Sequence, residues 1–188
     1  RWPAVTAATV SFGHGLAASP LHLASAYATL ANGGRKVTPT LVHGKTRPAG
    51  EQVVSEAAAK LSLAMLREVV VRGTARSGNV EGYEIAGKTG TADKPRPGGG
   101  YYDNKVVANF ASIFPYEDPK YVLVVTLDEP SASLGGGESR VAGLTAVPVA
   151  ADVISRLGPI LGLRPVGVKP LPDIEAPPRN GVKVAANQ

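Results

Sequence analysis

Three stretches of this chain read as strands, and too little lies between them to carry a crossover. They are Tyr83 to Ala92, Val106 to Phe114 and Tyr121 to Leu127. The link Asp93 to Asp103 holds two Pro and three consecutive Gly, which reads as an exposed connection. The second link is the turn-like Pro115-Tyr116-Glu117-Asp118-Pro119. Parallel neighbours need a crossover of about a dozen residues or more, usually helical, whereas antiparallel ones need only a turn. The spacing therefore predicts an antiparallel sheet.

Helical segments flank these strands. Ser19 can cap free amides, and Pro20 sits where no donor is needed, so the pair opens a helix. Leu21, Leu23, Ala24, Ala28, Leu30 and Ala31 make it largely apolar, and Asn32-Gly33-Gly34 stops it. Val37 to Val42 reads as a short strand, and His43 to Gln52 as a surface loop. Ser55 opens a second helix, with Glu56 complementing its dipole. Leu61, Met65, Glu68, Val69 and Arg72 lie along one stripe of it, and Leu63, Leu66 and Val70 widen the apolar arc. Gly73 ends that helix, and the small, polar Thr74 to Gly82 reads as a loop. Val141 to Leu163 is predicted to be a closing helix or pair of helical turns, perturbed by Pro148 and Pro159. The order helix, helix, three strands, helix makes an α+β unit, an antiparallel sheet flanked by helices, over residues 1–163. Five Pro among the 25 residues from Arg164 onward predict an extended or disordered tail at 164–188.

Composition removes several kinds of chemistry. The chain has no Cys, which excludes disulfides, thiolate metal sites and a Cys nucleophile. His14, His22 and His43 are scattered without ligand-like spacing, so no metal or other cofactor is expected. The net charge of +5 suits an acidic partner, but the basic residues are dispersed and only one Trp is present. Nucleic acid is therefore not an expected partner. No apolar run approaches the length that crosses a bilayer. Arg1-Trp2-Pro3 lacks a starting Met and a signal-like pattern, and reads as a cut inside a longer protein whose anchor lies upstream.

Two readings compete for the segment richest in chemistry. Gly82 to Thr89 matches the phosphate-loop pattern G-x-x-x-x-G-K-[ST]. That pattern works between a strand and a helix, where loop amides and the helix start hold phosphate. Ser77 to Glu81 form no buried strand, and Gly90, Pro95, Pro97 and three Gly follow where a helix is needed. The second reading sets Lys88-Thr89-Gly90-Thr91 on a strand. Alternation then puts Thr89 and Thr91 on one face, two hydroxyls able to grip one carboxylate. Gly90 leaves the backbone bare between them, so an extended peptide can lie close. An edge-strand amide can stabilise a developing oxyanion, and losing one such donor costs about 100- to 1000-fold. Lys88 faces the other way, and its long stem must bring the ammonium round. The bland alternative is a Lys-Thr pair on a solvated strand edge.

Lys88 to Thr91 resembles the Lys-Thr-Gly motif of penicillin-binding proteins and serine β-lactamases. The likeness extends to Ser11-Phe12-Gly13-His14-Gly15, Ser19 to Ala24 and Ala26 to Gly34, similar to the helix region before that motif in transpeptidases. Gly73-Thr74-Ala75 resembles the family's Gly-Thr-Ala after the next helix. Gly87 to Ala92, Ala108 to Pro115, Asp118-Pro119 and Val122 to Pro130 are similar to its three consecutive strands. Ala146-Val147-Pro148-Val149 resembles the start of its last helix. The resemblance covers about residues 5 to 163 and looks closest to division-specific class B enzymes.

The resemblance implies the C-terminal portion of a β-lactamase/transpeptidase-like fold. It implies a peptidoglycan D,D-transpeptidase on the periplasmic face of the bacterial inner membrane, working with divisome proteins. Such enzymes attack a D-Ala-D-Ala stem peptide with the serine of a Ser-x-x-Lys motif and pass the acyl group to a neighbouring strand's amine; β-lactams acylate the same serine. By position, Lys88 would complete the cationic pocket, and Thr89 and Thr91 would bind the terminal carboxylate. The Thr91 amide would form half of the oxyanion hole, and Gly90 would allow close approach. No serine here is followed three residues later by Lys. Ser77-Gly78-Asn79 spells Ser-x-Asn only nine residues before Lys88, far from the family's place for it, and reads as a chance match. Gly135 to Arg140 departs from the family's Tyr-Tyr-Gly-Gly. The expected nucleophile therefore lies upstream in the same protein, present alongside as a companion chain, and the isolated fragment is expected to be inactive. A β-lactam sensor, a β-lactamase, a binding module that has lost the chemistry and, remotely, a phosphate-loop nucleotide binder are the alternatives.

Overall fold

A computed structural model describes residues 3–11, 13, 15–43, 50–135 and 137–167. Its centre is a three-stranded antiparallel sheet, β1 (Ala86–Pro95), β2 (Tyr101–Phe114) and β3 (Tyr121–Asp128), with β2 in the middle. In its register Gly90 lies opposite Asn109, which lies opposite Thr126. The helices are α1 (Ala4–Val10), α2 (Pro20–Ala31), α3 (Glu56–Val71) and α4 (Ala146–Ile160). Two short strands, β4 (Ala132–Leu134) and β5 (Gly137–Ser139), form a separate ribbon that sequence reading missed.

The sheet is covered on both faces. Alternation along β2 sends Ala108, Phe110 and Phe114 to one side, where they cluster with Ala146, Val147, Ala150 and Ile154 of α4. Ala111 and Ile113 point to the other side and are also buried. Both α2 and α3 pack against the strands as well. This accounts for the nearly continuous apolar character of β2 from Val106 to Phe114. No buried side-chain nitrogen or oxygen lacks a partner among the described residues, and the buried Ser112 hydroxyl donates to the Leu123 carbonyl at 3.0 Å.

The helix starts read from sequence are present as capped ends. Ser19 Oγ accepts from the His22 N–H at 3.2 Å, and the His22 ring reaches back toward the Ser19 amide at 3.4 Å. Ser55 Oγ accepts from the Ala58 N–H at 3.2 Å; such caps each contribute about 1 kcal/mol. In α3 the buried line is Ala59 and Val70, with Leu63 and Leu66 partly covered between them. The stripe of Leu61, Met65, Glu68 and Arg72 faces outward, and Glu68 pairs with Arg72 on it.

Other boundaries differ from the sequence reading. The expected strand at Val37–Val42 is absent, because side chains of α2 take the backbone groups of Val37. Thr29 Oγ1 accepts from its N–H at 3.2 Å, and Ser25 Oγ donates to its carbonyl at 2.5 Å. The expected loop at His43–Gln52 falls mostly outside the described residues, although Arg35 forms an isolated bridge with Gln52. The first strand begins at Ala86 and not Tyr83, since Val80 and Tyr83 close a turn through Gly82. It then runs on to Pro95, and the expected connection Asp93–Asp103 shrinks to Arg96–Gly100. Gly98, Gly99 and Gly100 all have positive φ there, so the glycines make a tight hairpin turn. The closing helix begins at Ala146, not Val141, and is preceded by turns through Val141–Thr145. Pro148 is its third residue, where no intrahelical donor is required. Arg164 to Gly167 follow the last helix, with the Val166 N–H on the Gly82 carbonyl at 2.8 Å. The remainder of the predicted tail lies outside the described residues.

Candidate active site

β1 is an edge strand, so one side of its backbone has no ladder partner within the sheet. Lys88 Nζ donates to the Thr89 carbonyl at 2.8 Å, which marks that carbonyl as facing the open edge. Backbone groups two residues apart on a strand point the same way, so the Thr91 N–H faces that edge too. A Cβ added at Gly90 would meet only Asn109 Cβ, at 3.9 Å, so the face of β1 opposite Thr89 and Thr91 is uncovered at that point.

Thr89 and Thr91 lie on one face of β1, and both line a groove of about 550 Å³. Its opposite walls are Thr74, Arg76 and Ser77 after α3 and the turn Val141–Leu144 before α4. Thr74 Oγ1 and Thr89 Oγ1 are hydrogen bonded at 2.8 Å. The Ala142 N–H donates to Thr91 Oγ1 at 3.0 Å. Ser77 Oγ donates to the Gly143 carbonyl at 2.8 Å, tying the two walls together. A Cβ at Gly143 would stand 2.4 Å from the Thr74 carbonyl oxygen, so the approach requires glycine. Arg76 is the one charged side chain among the lining residues.

The groove thus brings Thr89 and Thr91 together, while neither Gly90 nor Lys88 is among its lining residues. The phosphate-loop reading fails, because β1 remains extended where that motif requires a helix. Ser77, read as part of a chance Ser-x-Asn, holds the Val141–Leu144 turn, and Asn79 accepts from Arg67 Nη1 at 3.2 Å. The same Arg67 nitrogen donates to the Ile85 carbonyl at 2.9 Å, anchoring the entry to β1 on α3. Sequence reasoning missed Thr74, Ala142 and Gly143 as parts of this site. Only Gly73-Thr74-Ala75 carried a signal, and it marked a family pattern without a role.

The far end of β1 is held by ions. Lys94 Nζ lies 2.8 Å from both Asp128 and Glu129, and Lys105 lies 3.2 Å from Glu129. Hydrogen bonds to Asp128 and then Glu129 push the Lys94 ammonium up to about 12. Hydrogen bonds from Lys94 and then Lys105 hold the Glu129 carboxyl below its ordinary value.

Residues 1–154 match the family described as the penicillin-binding protein transpeptidase domain. The chain belongs to that family. A probable peptidoglycan D,D-transpeptidase FtsI of Caulobacter vibrioides is 37% identical over 174 residues, covering 87% of this chain and 30% of the relative. The transpeptidase domain of Burkholderia pseudomallei penicillin-binding protein 3 has the same fold, with a TM-score of 0.77 and 33% identity over 88% of this chain and 49% of that one. Mycobacterium tuberculosis penicillin-binding protein 3, solved with ampicillin, gives a TM-score of 0.76 at 29% identity over 92% of this chain and 41% of that one. The chain therefore spans under half the length of these relatives. Within the penicillin-binding transpeptidase family, the three-stranded sheet and its helices are the expected β-lactamase/transpeptidase-like architecture.

Proposed function

We propose that this chain supplies the Lys-Thr-Gly-Thr wall of a serine-type peptidoglycan D,D-transpeptidase. The observation that carries the reading is the open edge of β1, where Thr89 and Thr91 share one groove and Gly90 bares the backbone between them. Family membership and the likeness to a relative solved with ampicillin support it.

In this reading the C-terminal carboxylate of a stem peptide, or that of a β-lactam, accepts hydrogen bonds from the Thr89 and Thr91 hydroxyls. The substrate backbone runs along Gly90. The Thr91 N–H donates to the oxygen of the reacting carbonyl as negative charge builds there. A serine outside these 188 residues, elsewhere in the same polypeptide or on a companion chain, forms the ester bond to that carbonyl carbon. The peptide C–N bond breaks, and D-alanine leaves with a proton. An amine on a neighbouring strand then takes the acyl group and frees the serine. Lys88, on the outer edge of β1, supplies positive charge toward the incoming serine and carboxylate; its ammonium has to leave the Thr89 carbonyl to do so. The assembled enzyme works at the periplasmic face of the membrane, held by a segment outside this chain, in cell-wall synthesis at division with divisome partners. Residues 1–163 form the C-terminal part of the transpeptidase domain.

Labelling with a fluorescent penicillin tests this. The 188-residue chain alone gives no covalent band, and the protein carrying the Ser-x-x-Lys segment labels. Lys88→Ala in that longer protein slows labelling severely at unchanged thermal stability. A band on the isolated chain, or unchanged labelling of the variant, contradicts the roles assigned here.

A further inference from the structure

The groove holds a third hydroxyl with no part in the roles above. Thr74 lies on the loop after α3, and its Oγ1 is 2.8 Å from Thr89 Oγ1. A hydroxyl carries one proton and two acceptor positions. The Ala142 N–H already occupies one acceptor position of Thr91 Oγ1, which leaves the Thr91 proton for the groove. Between Thr74 and Thr89 one proton is consumed by their mutual bond, so the pair presents one proton outward. Three hydroxyls thus offer two protons, the number that one carboxylate with two oxygens takes up.

We propose that Thr74 is a positioning residue for carboxylate recognition, donating to Thr89 so that the Thr89 proton is committed to the ligand. The inference rests on the reading of this groove as the carboxylate site. In the free groove either hydroxyl of the pair can be the donor. A carboxylate at Thr89 accepts but cannot donate, so it selects the arrangement Thr74 to Thr89 to carboxylate. A donor that also accepts is polarised by the bond it receives, which strengthens the bond it gives. Thr74 therefore acts through Thr89 and needs no contact of its own with the ligand. Its backbone is held for this by the Gly143 close approach, and its neighbour Ser77 by the bond to the Gly143 carbonyl.

The test uses the longer protein that carries the serine and measures the second-order acylation constant for a penicillin and for its methyl ester. Thr74→Val removes the hydroxyl at nearly constant shape and should slow acylation by the free acid about 3- to 10-fold, the span of one ordinary hydrogen bond. The methyl ester should lose less than about twofold, since no carboxylate remains to be positioned. Thr74→Ser should restore the free-acid rate. Thr74→Ala takes the place of the valine variant where the latter lowers the melting temperature. Equal losses on acid and ester, no loss on the acid, or failure of serine to rescue would each overturn the proposal. Thr89→Val and Thr91→Val separate the two levels of argument. If they slow the free acid while Thr74→Val does not, the role of Thr74 alone is wrong; if none of the three does, the carboxylate reading itself is wrong.

Discussion

Replacing Gly143 with alanine should pry the Val141–Leu144 turn away from the loop after α3. The added Cβ would sit 2.4 Å from the Thr74 carbonyl oxygen, about 1 Å inside ordinary contact, and the obstacle is backbone, which has no rotamer to escape into. Overpacking of this kind costs about 1–3 kcal/mol. For a domain of 150–250 residues each kcal/mol moves the thermal midpoint by about 2–4 °C, so a fall of roughly 4–8 °C is expected for a mid-range cost. The same displacement carries the Ala142 N–H from Thr91 Oγ1 and strains the Ser77 bond to the Gly143 carbonyl. Penicillin acylation should consequently fall by about 10-fold or more, matching the loss of one oriented donor worth 1.4 kcal/mol. Gly137→Ala is the matched control: its Cβ meets nothing within 4 Å, and its φ is not in the left-handed region. It should be neutral or stabilise by up to about 1 kcal/mol through the unfolded chain. Differential scanning fluorimetry of both variants, and stopped-flow acylation with both placed in the longer protein that carries the serine, decide the matter. If Gly143→Ala matched Gly137→Ala in melting and rate, the docking of that turn would not be what shapes the groove.

Phe110 is fully buried between β1, β2 and α4, so Phe110→Ala should lose about 3–5 kcal/mol in denaturant unfolding. The ion cluster at the far end of β1 sets a pH window. The Lys94 contribution is complete below 10.5 and is lost as pH rises through about 12. The Glu129 contribution is present above 4.5 and is lost as pH falls through its lowered folded value. Lys94→Met should therefore move the Glu129 carboxyl back up toward 4.5 in an NMR titration and make acid destabilisation shallower; an unmoved Glu129 would show that Lys105 alone sets it.

The helix starts were legible because their cause is local: Ser19 and Ser55 need only the amide three residues on. The central strands were legible because Val106 to Phe114 and Tyr121 to Leu127 are apolar runs broken only by Asn109, Ser112 and Thr126. What sequence could not supply was pairing at a distance. Asp93 reads as loop, yet it lies opposite Val106, and the next residue, Lys94, gains two acidic partners more than 30 residues away. Val37 reads as strand, yet Thr29 and Ser25 take its backbone first. Within the groove, the shared face of Thr89 and Thr91 was legible because strand alternation alone produces it. Thr74, Ala142 and Gly143 were missed because their roles exist only once three distant segments meet.

That meeting of segments has a thermodynamic corollary. The groove joins positions 15 and 51 residues apart along the chain, so the unfolded ensemble contains no copy of it. Any ligand that fits it reversibly must raise the unfolding free energy by mass action, by about 2.7 kcal/mol at a hundred times its dissociation constant. A carboxylate compound that never reacts with the serine would thus still announce itself as a warmer melt.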